Sequence, residues 1–117
     1  MKKIYSSREK MKNKRGVFIT FEGIDGSGKT TQIEKLREFI KSLGMQTVFT
    51  REPGGTRIGD YIRDLLLNPE NKEISARTEA FLFLASRVEL VEKVILPGLD
   101  SGKVVICDRF FDSTIAY

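Results

Sequence analysis

The segment Gly23-Ile24-Asp25-Gly26-Ser27-Gly28-Lys29-Thr30 constrains this chain more than any other, because it meets every fixed position of G-x-x-x-x-G-K-[ST]. Its glycines let the backbone take dihedrals closed to other residues and approach phosphate oxygens with no Cβ in the way. The loop's N–H groups then converge on an anion at the start of a helix, whose dipole adds to the attraction. Lys29 supplies a mobile charge for β- and γ-phosphates, and Thr30 a hydroxyl for Mg²⁺. Residue frequencies alone produce such a match in a chain this long about 0.5% of the time. The setting strengthens the signal. Val17-Phe18-Ile19-Thr20-Phe21 before the loop reads as a buried strand. After it, Ile33, Leu36, Phe39, Ile40 and Leu43 recur at helical spacing until Gly44.

The alternation continues downstream. Gln46 to Thr50 reads as a second strand. Beyond the turn-rich Pro53-Gly54-Gly55, Ile58, Ile62, Leu65 and Leu66 predict a short helix that stops by Asn68-Pro69. Ser75 is placed to cap a third helix, with Phe81, Leu84, Val88, Val91 and Ile95 on one face until Pro97-Gly98. Val104 to Cys107 is a third strand. Strands alternating with helices imply βαβ crossovers and an α/β fold, a parallel sheet flanked by helices on both faces.

Charge could suggest a nucleic-acid binder, since the net value is +4. Its distribution argues otherwise. Up to Arg15 there are seven basic residues (Lys2, Lys3, Arg8, Lys10, Lys12, Lys14 and Arg15) against Glu9, while the remainder holds 13 basic and 15 acidic residues. Residues 1–15 are therefore expected to be a solvated basic extension and 16–117 the P-loop domain, with no nucleic-acid partner. No apolar run approaches the roughly 18 residues of a membrane span, and Met1 to Gly16 lacks the apolar stretch of a secretory signal; a cytoplasmic address with no membrane partner is expected. The lone Cys107 builds no disulfide framework. With no histidine, His-based acid–base catalysis and the usual zinc ligand sets are excluded.

Five further positions carry possible chemistry. Asp108 ends the third apolar strand, where parallel strands bring it beside the phosphate loop; it can hold Mg²⁺ or its waters, or serve as a turn residue. Arg109 follows, able to clamp a transferring phosphate. Arg51 stands at the carboxyl end of the second strand, suited to a second phosphate or to a surface ion pair. Phe83 and Arg87 are four apart and share a helix face distinct from the apolar stripe. They fit an aromatic that stacks a base with an arginine for its phosphate, or a core residue beside a solvated charge.

Taken together, FEGIDGSGKTTQ, TREPGGT, the F-x-x-x-R of Phe83 and Arg87, and DRFFDSTIAY resemble the thymidylate kinases over Val17 to Tyr117, in order and spacing. The resemblance implies transfer of the γ-phosphoryl of ATP to dTMP with Mg²⁺, in a homodimer. Gly23, Ile24, Asp25, Gly26, Ser27, Gly28, Lys29, Thr30 and Thr31 would bind ATP, with Thr30 and Asp108 at the metal. Lys29, Asp108 and Arg109 would be the catalytic set. Asp25 would accept a hydrogen bond from the 3′-hydroxyl, and Arg51 and Arg109 would grip the acceptor phosphate. Phe83 would stack on thymine, and Arg87 would bond the base edge rather than the phosphate. Thr114 would lie near the base, and Tyr117 would crowd the 2′ side of the sugar.

Two departures stand out. Leu90 occupies a position where the family often carries His. The family also runs on beyond Tyr117 through two more strands and a lid, and its sheet order, 2-3-1-4-5, would leave the first strand at an exposed edge here. The loop has Gly26 after Asp25 rather than arginine, so a catalytic arginine is expected in the lid. The 117 residues alone are accordingly expected to be poorly stable and inactive. The rival readings are another P-loop nucleoside or nucleoside monophosphate kinase and a non-catalytic nucleotide-binding fragment. A GTPase is disfavoured because no N-K-x-D follows the loop.

Overall fold

The structure, a computed structural model, describes residues 15–23 and 28–109. Strand β1 (Val17–Glu22) leads to the phosphate loop, and helix α1 (Lys29–Ser42) leaves it. Strand β2 (Thr47–Glu52), helix α2 (Arg57–Leu67), a 3₁₀ turn (Pro69–Asn71) and helix α3 (Ala76–Leu90) follow. A π turn (Val91–Ile95), the short helix α4 (Leu96–Asp100) and strand β3 (Val104–Arg109) complete the described chain.

The three strands are parallel in the order β1-β3-β2, so the last strand lies in the middle. Helices cover both faces, as the alternation predicts. On one face Ile33 and Ile40 of α1 bury against Val104 and Ile106, joined by Ile19, Phe21 and Leu36. On the other, Leu90 and Ile95 meet Val105 and Cys107, with Val48, Val91, Val94 and Leu99 around them. The even residues of β3 thus face one layer and the odd residues the other, the period of two that a strand imposes. Val17 and Phe18 of β1 remain half exposed at the sheet's margin, as the family's strand order leads one to expect.

Local chemistry sets the element ends. Gly28, at φ 85°, turns the chain into α1, and Gly44, at φ 77°, follows its C-terminus. Thr56 and Ser75 cap α2 and α3, each side-chain oxygen accepting a backbone N–H three residues on.

Several sequence expectations are corrected. Helical winding does not stop at Pro97-Gly98 but continues to Asp100. A proline has no N–H for the carbonyl four residues back, and the turn before it widens so that the Leu96 N–H reaches the Val91 carbonyl. Gly98 lets α4 lie close on β3, for a Cβ there would stand 2.8 Å from Val105 Cγ2. The expected stripe Phe81, Leu84, Val88, Val91 and Ile95 holds only in its last two members: Ile95 is buried with Val91 packed beside it, whereas Phe81, Leu84 and Val88 face outward and Phe83, Ser86 and Leu90 are buried instead. Phe83 and Leu90 are seven apart, two full turns, and so share the inward face with Arg87 between them. On α1, Phe39 and Leu43 likewise stay exposed, and only Ile33 and Ile40 of the periodic set are fully buried. The expected basic extension lies outside the described residues up to residue 14. The guanidinium of Arg15 lies 3.4 Å from Asp100 in an exposed ion pair.

Candidate functional site

The register of the sheet assembles the site. At its carboxyl edge two rows run across the strands: Phe21, Asp108 and Arg51, then Glu22, Arg109 and Glu52. Three of these six, Asp108, Arg51 and Arg109, are sequence candidates. No turn had to bring them together; parallel pairing alone does so.

Lys29 opens α1 directly above this edge and is only 5% exposed. Its ammonium donates to the Gly23 carbonyl at 3.0 Å and pairs with Asp108 Oδ1 at 2.6 Å. That contact is an ion pair without the angular geometry of a hydrogen bond, so the carboxylate keeps acceptor capacity. Thr30 and Thr31 follow Lys29 in the exposed first turn of α1. Ile24, Asp25, Gly26 and Ser27 lie outside the described residues, as do Thr114 and Tyr117.

The second half of the site is organised by Glu52, which sequence reading passed over. Arg87 meets its carboxylate side-on, Nε to Oε2 at 2.7 Å and Nη2 to Oε1 at 2.9 Å. Arg109 Nε lies 3.2 Å from Oε1, and Arg109 Nη1 lies 3.6 Å from Glu22 Oε1 on the opposite strand. Phe83, buried one turn before Arg87, stands on the same face of α3. Leu90, on that face too, is wholly buried in the core, so packing is retained there.

Arg51 projects differently. It is half exposed and lies 3.5 Å from Asp60 of α2. The turn after it is fixed from two helices. Ser86 Oγ accepts the Gly54 N–H at 3.0 Å, Asp60 Oδ1 accepts the Gly55 N–H at 3.0 Å, and Arg63 donates to the Pro53 carbonyl at 2.9 Å. The Glu52–Pro53 peptide is cis. Ser86 and Asp60 were invisible as functional signals except for one hint, a small polar residue on the buried face of a helix.

The electrostatics follow from these pairings. The four cations Lys29, Arg51, Arg87 and Arg109 face the four carboxylates of Asp108, Asp60, Glu52 and Glu22. The cluster is neutral, and its more exposed members, Arg51–Asp60 and Arg109–Glu22, are the weakly held ones. A phosphate dianion can take the place of such carboxylates at the guanidinium, offering bidentate oxygen geometry with more charge. Among the described residues no three His, Cys, Asp or Glu side chains gather as a metal cage. The hard oxygens of Asp108 and Thr30 nonetheless fit Mg²⁺, which is commonly carried by one or two protein oxygens and the substrate's phosphates. No helix among the described residues is long and apolar enough to cross a membrane.

Comparison with known proteins gives a consistent result. The thymidylate kinase family model matches residues 21–117. A thymidylate kinase of Pelotomaculum thermopropionicum is 57% identical over 103 residues, covering 88% of this chain and 48% of that protein. One from Pelobacter propionicus is 56% identical over 102 residues, 87% of this chain and 47% of that protein. Among solved structures, the thymidylate kinase of Ehrlichia chaffeensis superposes with a TM-score of 0.72 at 47% identity, over 88% of this chain and 58% of the other. The chain spans about half the length of the curated relatives it matches.

Proposed function

The chain belongs to the thymidylate kinase family, and on that premise we propose that its protein phosphorylates dTMP to dTDP with ATP as donor. One observation carries this reading: the phosphate-loop lysine and the Phe83, Arg87 and Arg109 group stand along one sheet edge, with Asp108 and Arg109 adjacent on the strand between them.

Lys29 and the loop amides hold the donor phosphates, with Gly23, Ile24, Gly26, Ser27, Gly28, Thr30 and Thr31 around them. Phosphate oxygens draw the ammonium from Asp108, whose oxygens then serve the metal site together with Thr30. Mg²⁺, when bound, neutralises charge on the transferring phosphates. Arg109 and Arg51 grip the acceptor phosphate. Phe83 gives the base a flat apolar face and Arg87 bonds its edge. Asp25 takes the 3′-hydroxyl, Thr114 neighbours the base, and Tyr117 screens the 2′ position. Catalysis is then positioning and charge stabilisation, with no covalent step on the protein.

A homodimer and a cytoplasmic setting complete the proposal. The dimer is supported by the outward apolar stripe Phe81, Leu84 and Val88 on α3, with Tyr61 and Leu65 exposed on the adjoining α2. The runner-up is a P-loop kinase for a different monophosphate.

Turnover by the full-length protein against dTMP, dUMP, AMP, CMP and GMP tests the reading. Preference for dTMP is expected, and Lys29→Met should lower kcat by roughly 10²–10³-fold, the scale of losing a charge-stabilising donor. Preference for AMP would assign the acceptor elsewhere.

A further inference from the structure

Glu52 is the one buried carboxylate among the described residues, at 5% exposure, and it faces two guanidinium groups rather than one. The side-on pair with Arg87 already satisfies both of its oxygens and balances its charge. Burial alone therefore explains the first arginine and not the second. Arg109 comes from a different element, β3 rather than α3, and approaches Oε1 to 3.2 Å as an ion pair without the angular geometry of a hydrogen bond. Two like charges converge at this edge because the carboxylate lies between them. Both arginine side chains are about a quarter exposed, at 25% and 24%, so the shared carboxylate sits on their buried side.

We propose that Glu52 is a positioning residue for the acceptor nucleotide, one carboxylate that fixes Arg87 and Arg109 relative to each other. The proposal rests on the acceptor reading above, in which Arg87 meets the base and Arg109 the phosphate. A nucleoside monophosphate then finds the two ends of its site already spaced, and pays less to order them. Glu22, whose side chain is 48% exposed and 3.6 Å from Arg109, is the loose partner that a phosphate displaces; Glu52 is the one that stays.

The test is a double-mutant cycle on the full-length protein, reading Kd for dTMP by calorimetry beside KM for ATP. Glu52→Gln keeps the shape and removes the charge. It should raise Kd for dTMP about 10–100-fold, as losing a residue that orients a ligand-binding group does, while KM for ATP stays within about 2-fold. In the Arg109→Ala background the same change should add less than about 3-fold, because with one arginine gone there is no relative placement left for Glu52 to fix. An unchanged Kd for dTMP, or the same multiplicative loss in both backgrounds, overturns the proposal. If Glu52→Gln gives no cooperative unfolding transition, Glu52→Asp is carried through the same cycle and should bind dTMP with intermediate affinity. Failure of both variants to fold makes Glu52 a folding residue and overturns the proposal too. Should the wild type prefer another monophosphate, the acceptor reading alone fails, and the cycle is read with that nucleotide instead.

Discussion

Cys107 shows how the site shapes a residue that takes no part in its chemistry. It lies on the central strand at 1% exposure, and burial pushes its thiol from the ordinary 9.0 up to about 12, with the negative Glu52 adding to the rise. The folded protein thus keeps a proton that the unfolded chain gives up near pH 9. The resulting contribution to stability is complete below that pH and is lost as the pH climbs from about 9 towards 12. Urea unfolding should accordingly show the wild type losing more stability between pH 8 and pH 10.5 than Cys107→Ala does. Equal slopes for the two proteins would mean the thiol ionises as freely folded as unfolded. Glu52 itself escaped sequence reading because glutamate is normally a solvated residue, and nothing in Arg51-Glu52-Pro53 tells which of the two charges turns inward. Arg51, the more obvious candidate, turned out to be the half-exposed one.

Among elements, the turn from Pro53 to Thr56 deserves its rigidity. Gly55 sits at φ 91°, and a Cβ there would run into Thr50 Oγ1 and come within 2.7 Å of Leu90 Cδ1. Gly55→Ala should cost about 2–4 kcal/mol through backbone strain and overpacking together. Thermal unfolding of the full-length variant would show it as a drop of several degrees; an unchanged midpoint would mean the turn can move. The element pattern was largely legible. The phosphate loop demanded a strand and a helix around it, and Ser75 and Gly44 marked their helix ends as expected. What failed was the choice of face on α3. Phe81, Leu84 and Val88 make as good a helical stripe as Phe83 and Leu90, and periodicity cannot rank two apolar stripes on one helix. The π turn adds a residue between Leu90 and Ile95, so the face facing the sheet is continuous in space and broken in sequence.

At the scale of the whole molecule, that second stripe bears on the proposed dimer. Phe81 and Val88 are 64% and 52% exposed on a helix whose other side is the core. Val88→Glu should place a charge in the proposed dimer contact and shift the full-length protein to monomer in sedimentation equilibrium, with the monomer still folded. A dimer that survives the change would move the contact to another surface. The strand order has a different consequence, one for biosynthesis. Among the described residues β1 and β2 make no ladder with each other, and each pairs with β3 alone. As the chain leaves the ribosome, neither early strand meets its described partner until β3 is clear of the exit tunnel, by which time Val17 has waited through 87 residues of synthesis for Val104. Assembly of these three strands therefore waits for β3, and the apolar β1 is the segment a nascent-chain chaperone has most reason to shield.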